Sequence, residues 1–292
     1  MATSTSTQGF HDADTGTISY VVHEHDSRRA AVIDPVLDYD PKSGHTATRS
    51  MDRLLAHIER EKLQVDWILE THAHADHLSA ACQLRERVGG RIGIGEHIRE
   101  VQSTFAGLFG FEAEFAADGS QFDHLFRDGE TFRLGSVEGR TLFVPGHTPA
   151  DVAYLIDGSA FVGDTLFMPD VGSARADFPG GDARRLYRSI RRLLELPGDT
   201  AIHVCHDYPP KTRQAAWQTT VAEQRQKNVH VHDGVGEDEF VAMREARDKT
   251  LGAPTLILPS LQVNVRGGRM PQADANGIAY LRIPLNALPV GA

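Results

Sequence analysis

Six consecutive positions, His72-Ala73-His74-Ala75-Asp76-His77, carry three histidines and an aspartate, directly after the apolar run Val65 to Leu69. Imidazole nitrogen and carboxylate oxygen are the ligands that hold zinc or iron, so the segment predicts a metal site. The apolar run predicts a strand, and a strand that runs into an irregular loop lets several of these side chains face one centre. A helix could not present all four. So short a cluster cannot complete a coordination sphere, and later loops must supply the rest. His147 in Pro145-Gly146-His147-Thr148-Pro149, Asp164 in Phe161-Val162-Gly163-Asp164-Thr165 and His206 in Ile202-His203-Val204-Cys205-His206-Asp207 each follow a β-like apolar run. Gly146 and Gly163 stand just before two of these candidates and predict sharp turns that aim them inward.

The elements that position them are legible as apolar runs. Strands are predicted at Ile18 to Val22, Ala30 to Ile33, Val65 to Leu69, Arg91 to Ile94, Thr131 to Leu134, Val137 to Phe143, Val152 to Ile156, Ala160 to Val162 and Ala201 to Val204. Met51, Leu54, Leu55 and Ile58 recur at helical spacing, as do Leu186, Ile190, Leu193 and Leu194, the latter set with Asp182 as its N-cap. Many strands with helices between groups of them imply layered sheets flanked by helices. Asp38 to Thr46 and Ala116 to Asp128 read as loops. Two helical stretches, Thr212 to Gln226 and Glu237 to Leu251, precede a Pro/Gly-rich tail from Pro254 that reads as an appendage. Residues 1–211 are therefore taken as the catalytic core, and 212–292 as a helical segment and tail that complete the same domain.

Composition fits an enzyme of ordinary size: 292 residues with 40% hydrophobic content can bury a substantial core. The apolar runs fall far short of the roughly 20 residues that span a bilayer, and Met1 to Gly9 carries no hydrophobic segment, so no membrane association or targeting is expected. A formal charge of −10 argues against nucleic acid as partner. Two cysteines, Cys82 and Cys205, suit a reducing, cytoplasmic setting; Cys205 beside His206 reads as a small buried strand residue. His11, His23, His25, His45, His57, His97, His124, His203, His230 and His232 read as surface or core residues.

Taken together, the HxHxDH loop, the later His147, the later Asp164 and the final His206 resemble the metallo-β-lactamase superfamily from about Ile18 to His206. The resemblance implies an αββα sandwich, carrying a C-terminal helical appendage, with metal at the edge where the sheets meet. It also leaves two chemistries open. With two ions, His72, His74 and His147 hold one, Asp76, His77 and His206 the other, and Asp164 bridges, which serves hydrolysis. With one ion, His72, His147 and Asp164 form a facial set with three open positions, which serves oxygenation on iron(II).

Segments around the ligands, Asp34 to Gly44, Ala73 to Ala81, Gly172 to Gly181 and His206-Asp207-Tyr208, resemble the persulfide dioxygenase branch. That resemblance implies one Fe(II) per chain on His72, His147 and Asp164, with His74, Asp76, His77 and His206 orienting ligands or holding water. Its implied reaction oxidises glutathione persulfide with O2 and water to sulfite and glutathione. Glutathione carries two carboxylates, and Arg175, Arg225 and Tyr208 match substrate-side residues of the branch, with Lys211 a lesser candidate. Asp177 is expected to orient Arg175 or a water. The branch further implies a homodimer, and the lack of a rhodanese segment suggests a separate sulfurtransferase as supplier. The alternative is a dinuclear zinc thioester hydrolase of the glyoxalase II kind.

Overall fold

A computed structural model describes residues 4–287. Its first half runs β1 (Thr5–His11), β2 (Ile18–Glu24), β3 (Arg29–Ile33), β4 (Val36–Asp40), β5 (His45–Ala47), α1 (Arg49–Arg60), β6 (Gln64–Leu69), β7 (Leu78–Ser79), α2 (Ala81–Val88), β8 (Arg91–Gly95), α3 (Ile98–Phe109) and β9 (His124–Phe126). The second half runs β10 (Thr131–Leu134), β11 (Val137–Phe143), β12 (Val152–Ile156), β13 (Ser159–Phe161), α4 (Ala183–Leu194), β14 (Ala201–His203), β15 (Gln218–Thr220), α5 (Val221–Lys227), α6 (Glu237–Asp248) and α7 (Ile257–Asn264). Two six-stranded sheets result, ordered β1-β2-β3-β6-β8-β9 and β10 through β15, with a small third sheet β5-β4-β7.

The layers follow from which faces are apolar. Every residue of β2 is buried, because one face meets the second sheet and the other meets helices. Ile18, Tyr20, Ile33, Leu69, Phe126, Phe132, Tyr154 and Phe161 fill the space between the sheets. Met51, Leu54 and Ile58 of α1 join Leu84, Phe105 and Val32 on the outer face of the first sheet, while Leu186, Ile190 and Leu193 of α4 cover the second. The order helix, sheet, sheet, helix is the αββα sandwich expected above. The Asp182 carboxylate caps α4 by accepting from the Arg185 N–H at 2.8 Å, as its spacing predicts.

Helices α2, α3 and α7 form where the sequence pattern predicts none, and three segments differ from the sequence expectation. Asp38 to Thr46 is a hairpin rather than a loop: β4 and β5 pair through Asp38↔Ala47 and Asp40↔His45, and Asp40 turns the chain by accepting from the Lys42 N–H at 3.0 Å. These strands are too short for an alternating pattern to stand out. Ala116 to Asp128 likewise contains β9, which extends the first sheet beside β8. Thr212 to Gln226 is helical only from Val221, since Thr219 and Thr220 first pair with β14, and Thr220 then caps α5 through Glu223 N–H at 3.1 Å. At the N-terminus, β1 pairs along its whole length with β2, from Thr5↔Glu24 to His11↔Ile18. Among the described residues no helix is long and apolar enough to cross a membrane.

Candidate metal centre

The histidine loop leaves the first sheet at the end of β6, and Asp34 fixes where it begins. Thr71 donates to the Asp34 carboxylate twice, from its N–H at 2.7 Å and its hydroxyl at 2.9 Å. His74 Nε2 donates to the same carboxylate at 3.0 Å and faces Glu70 at 3.4 Å. Asp34 sits just past β3 at φ +50°, a left-handed conformation that short polar side chains tolerate better than most. The sequence points to Asp34 only as part of a matched segment and to Glu70 not at all. A buried acid at a strand end, next to proline, was the available signal. Burial opposes charge on His74, but the two carboxylates overcome it and raise its pKa to about 10.

Three loops bring His72, His147 and Asp164 together at the mouth of the sandwich. His72 Nδ1 is 3.0 Å from the Thr71 hydroxyl, His147 Nδ1 donates to the Arg175 carbonyl at 2.8 Å, and Asp164 Oδ1 accepts from His206 Nδ1 at 2.6 Å. Each residue thus has one ligand atom occupied by protein and one left over. The leftover Asp164 Oδ2 lies 3.8 Å from His72 Nε2 and 3.7 Å from His147 Nε2. Ligands bonded at about 2.1 Å around one ion stand roughly 3.0–3.4 Å apart, so a closure of a few tenths of an ångström suffices. The His72 Nε2 atom is buried without any partner, which is costly unless something binds it. Burial, then the neighbouring His74 and His147, hold His72 well below the usual imidazole range, in the neutral form that ligates.

Gly163 and Gly146 make this approach possible. Gly163 has φ +53°, and a Cβ there would lie 2.7 Å from Thr71 Oγ1; at Gly146, φ +147°, a Cβ would meet the Leu186 backbone at 2.3 Å.

The remaining members of the cluster are drawn into one another. His206 is wholly buried, with Nδ1 on Asp164 and Nε2 in direct contact with Asp76, and Thr17 Oγ1 also reaches Nε2 at 2.9 Å. Burial opposes its charge, yet Asp164 and Asp76 raise its pKa well above the usual range. His77 Nδ1 lies 3.5 Å from Asp76 and 3.3 Å from Thr17. Cys205 is buried within 4.8 Å of ligand atoms of Asp164 and His206, and burial pushes its thiol up, so it is neutral.

A cavity of about 1170 Å³ opens over Asp76, His147 and Asp164. Tyr208 lines it, half exposed, with its ring parallel to His206 at 5.8 Å between centroids. Arg175 lines it too, but its guanidinium is engaged: Nη2 donates to Asp177 at 2.7 Å and Nη1 to the Gly252 carbonyl at 2.7 Å. The Asp177 carboxylate thus holds the Arg175 guanidinium, and both residues border a second lobe of about 650 Å³ that shares His147. Arg49, Arg244 and Arg247 also line the larger cavity and were not singled out by sequence, because lone arginines on helices are usually solvated. Arg225 is separated from this site: Asp233 takes its guanidinium at 2.9 Å, and it borders a shallow hollow with Gly198, Ala222 and Gln226. Lys211 is exposed and does not line the cavity.

The family model of the metallo-β-lactamase superfamily matches residues 13–206 of this chain. The chain belongs to the metallo-β-lactamase superfamily. Within that superfamily it is 54% identical to a protein of Burkholderia pseudomallei named "Probable metallo-hydrolase", covering 96% of this chain and 99% of that one. It is 47% identical to "Glyoxylase B2" of Dictyostelium discoideum, covering 99% of both. With the mitochondrial persulfide dioxygenase ETHE1 of Homo sapiens it shares 32% identity over 73% of this chain and 70% of that protein. The crystal structure of ETHE1 from Myxococcus xanthus superposes with TM-score 0.72 at 29% identity, covering 90% of this chain and 100% of that one. The chain spans 64% of the length of a "Beta-lactamase hydrolase-like protein" of Xylella fastidiosa to which it is 54% identical.

Proposed function

We propose that this metallo-β-lactamase fold is a cytoplasmic iron persulfide dioxygenase with one Fe(II) per chain, converting glutathione persulfide, O2 and water to glutathione and sulfite with release of two protons. One observation carries the reading. His72, His147 and Asp164 each turn one unused ligand atom toward a common point, whereas both nitrogens of His206 are engaged by the carboxylates of Asp164 and Asp76. Two imidazoles and a carboxylate on one face are the donor set of non-haem iron oxygenases, and an iron ion held by His72, His147 and Asp164 would supply activation of dioxygen beside a soft sulfur donor, with the persulfide sulfur as the reductant.

The chain's own residues do the positioning. Arg175 holds His147 through its backbone carbonyl, and His206 holds Asp164, so the donor set is fixed before substrate arrives. Tyr208 offers a hydroxyl at the cavity wall, Arg247 offers a cation to one carboxylate of glutathione, and Arg49, 3.5 Å from both Asp14 and Asp38, would exchange those partners for the other. As part of the same reading, the chain acts as a homodimer and receives its persulfide from a separate sulfurtransferase.

A specific observation favours a second reading, the dinuclear zinc thioester hydrolase. His74 Nδ1 and His77 Nε2 are buried without partners, as the two-ion set would require with His74 on one ion and His77 on the other, and the similarity to the metallo-hydrolase and to Glyoxylase B2 is the greater one. Metal analysis of the purified protein, paired with O2 consumption on adding glutathione persulfide, separates the two. About one iron per chain with O2 uptake and sulfite is the expected result. Two zincs, no uptake and cleavage of a glutathione thioester would overturn it.

A further inference from the structure

The loop that carries His72, His74, Asp76 and His77 lies outside helices and strands from Thr71 to His77; at its start the Thr71 carbonyl accepts from the Val152 N–H at 2.9 Å, but no sheet ladder or helix fixes the carbonyls that follow. A residue nearly two hundred positions later does so. Asn264, at the end of α7 and 4% exposed, donates one amide hydrogen to the His74 carbonyl and the other to the His77 carbonyl, both at 2.8 Å. Its side-chain oxygen accepts from the Ser79 N–H, also at 2.8 Å. One amide group thereby ties three backbone points across the segment that bears Asp76 and His77 and leads directly from His72.

The rest of the tail keeps Asn264 in place. Leu261, Val263 and Val265 are fully buried with Ala73, Ala75 and Leu78 of the loop in one apolar cluster. Gln102 donates to the Val265 carbonyl at 2.8 Å, and Arg266 pairs with Glu112. The chain then turns away at Gly267 and Gly268, with φ +64° and +80°; a Cβ on Gly268 would stand 2.9 Å from the Ser79 carbonyl, closer than real side chains come. So close an approach requires glycine. This part of the tail, from Ser260 to Gly268, therefore lies inside the fold, and the family match that ends at residue 206 does not include it.

We propose that Asn264 is a positioning residue of the metal centre: through it, α7 clasps the histidine loop in the register that lets His72 meet His147 and Asp164 at one ion. The inference rests on the reading of this site as a metal centre, not on which reaction the metal serves. Outer partners of this kind are typically worth 10–100-fold in metal affinity.

The test is titration with Co(II), followed by the visible absorption of the bound ion, for the full-length protein, Asn264→Ala, Asn264→Asp and, as a control on the other side of the sandwich, Ile190→Ala. Asp keeps the size and the acceptor for Ser79 but loses both donors, so it remains informative if the alanine variant folds poorly. A 10–100-fold weaker affinity with an altered spectrum in the Asn264 variants, and neither change in an Ile190→Ala protein of matched or lower melting temperature, is the expected outcome. Unchanged affinity and spectrum in the Asn264 variants, or an equal loss in Ile190→Ala, would overturn the clasp while leaving the metal centre intact. Failure of the unmodified protein to bind Co(II) would overturn the metal centre and the clasp with it.

Discussion

Replacing His206 by alanine separates one-metal from two-metal chemistry, because the ring stands in a different relation to the ion in each. In the one-metal arrangement His206 touches no ion; it donates to Asp164 at 2.6 Å and contacts Asp76, so its loss leaves both carboxylates freer and less well aimed. Loss of such an orienting partner weakens metal binding by about 10–100-fold, which is about 1.4–2.7 kcal/mol, but does not change the number of ions held at saturation. In the two-metal arrangement His206 supplies a direct bond to the second ion, leaving Asp76 and His77 as its unshared donors, too few for a closed site. Iron and zinc per chain are counted by elemental analysis after equilibration at micromolar to millimolar free metal and gel filtration. The expected result is one ion per chain in both proteins, with the variant needing 10–100-fold more free metal to fill. A fall from two ions to one would refute the reasoning, and the dinuclear hydrolase would take its place.

Asp34→Asn keeps the shape beneath the histidine loop but removes the charge facing His74, and breaking a buried pair of this kind costs about 3–5 kcal/mol; a melting temperature within a degree of the parent would contradict it. Burial pushes His203 down to about 4, so it is neutral in the fold while the unfolded chain takes up a proton near 6.5. Its contribution is thus fully present above pH 6.5 and lost progressively as pH falls to about 4, some 3 kcal/mol in all. Urea unfolding of the parent and of His203→Phe between pH 4 and 7 reads this as a difference that grows on acidification, and parallel curves would dismiss it. Arg247→Ala is expected to raise KM for glutathione persulfide about tenfold with little change in kcat. Arg225→Ala, at a residue paired with Asp233 outside the cavity, should leave both constants as they are.

What the sequence disclosed and what it hid divide along the range of the interactions involved. The ligands were readable because each sits just past a strand, where an apolar run gives way to a polar side chain, with a glycine between them at His147 and Asp164, as in Phe161-Val162-Gly163-Asp164-Thr165. Two long helices, α1 and α4, were readable for the same reason: α4 shows its buried stripe and its Asp182 cap within one stretch of chain, whereas α3, of the same length, has no side-chain cap to mark its start and was not singled out. Short strands such as β5 and β9 were not, since three residues cannot display a period. Arg225 looked like a substrate residue until Asp233, eight positions away, proved to hold it, and Arg175 turned out to serve the centre through its carbonyl, an atom that no side-chain pattern reveals. Asn264 is the extreme case. An asparagine near the start of a Pro/Gly-rich tail carries no local sign of its partners, because those partners are backbone atoms 187 and 190 positions away. The metal donors are local in sequence, and the scaffolding that aims them is not; changes in the tail should therefore reach the metal as surely as changes in the histidine loop.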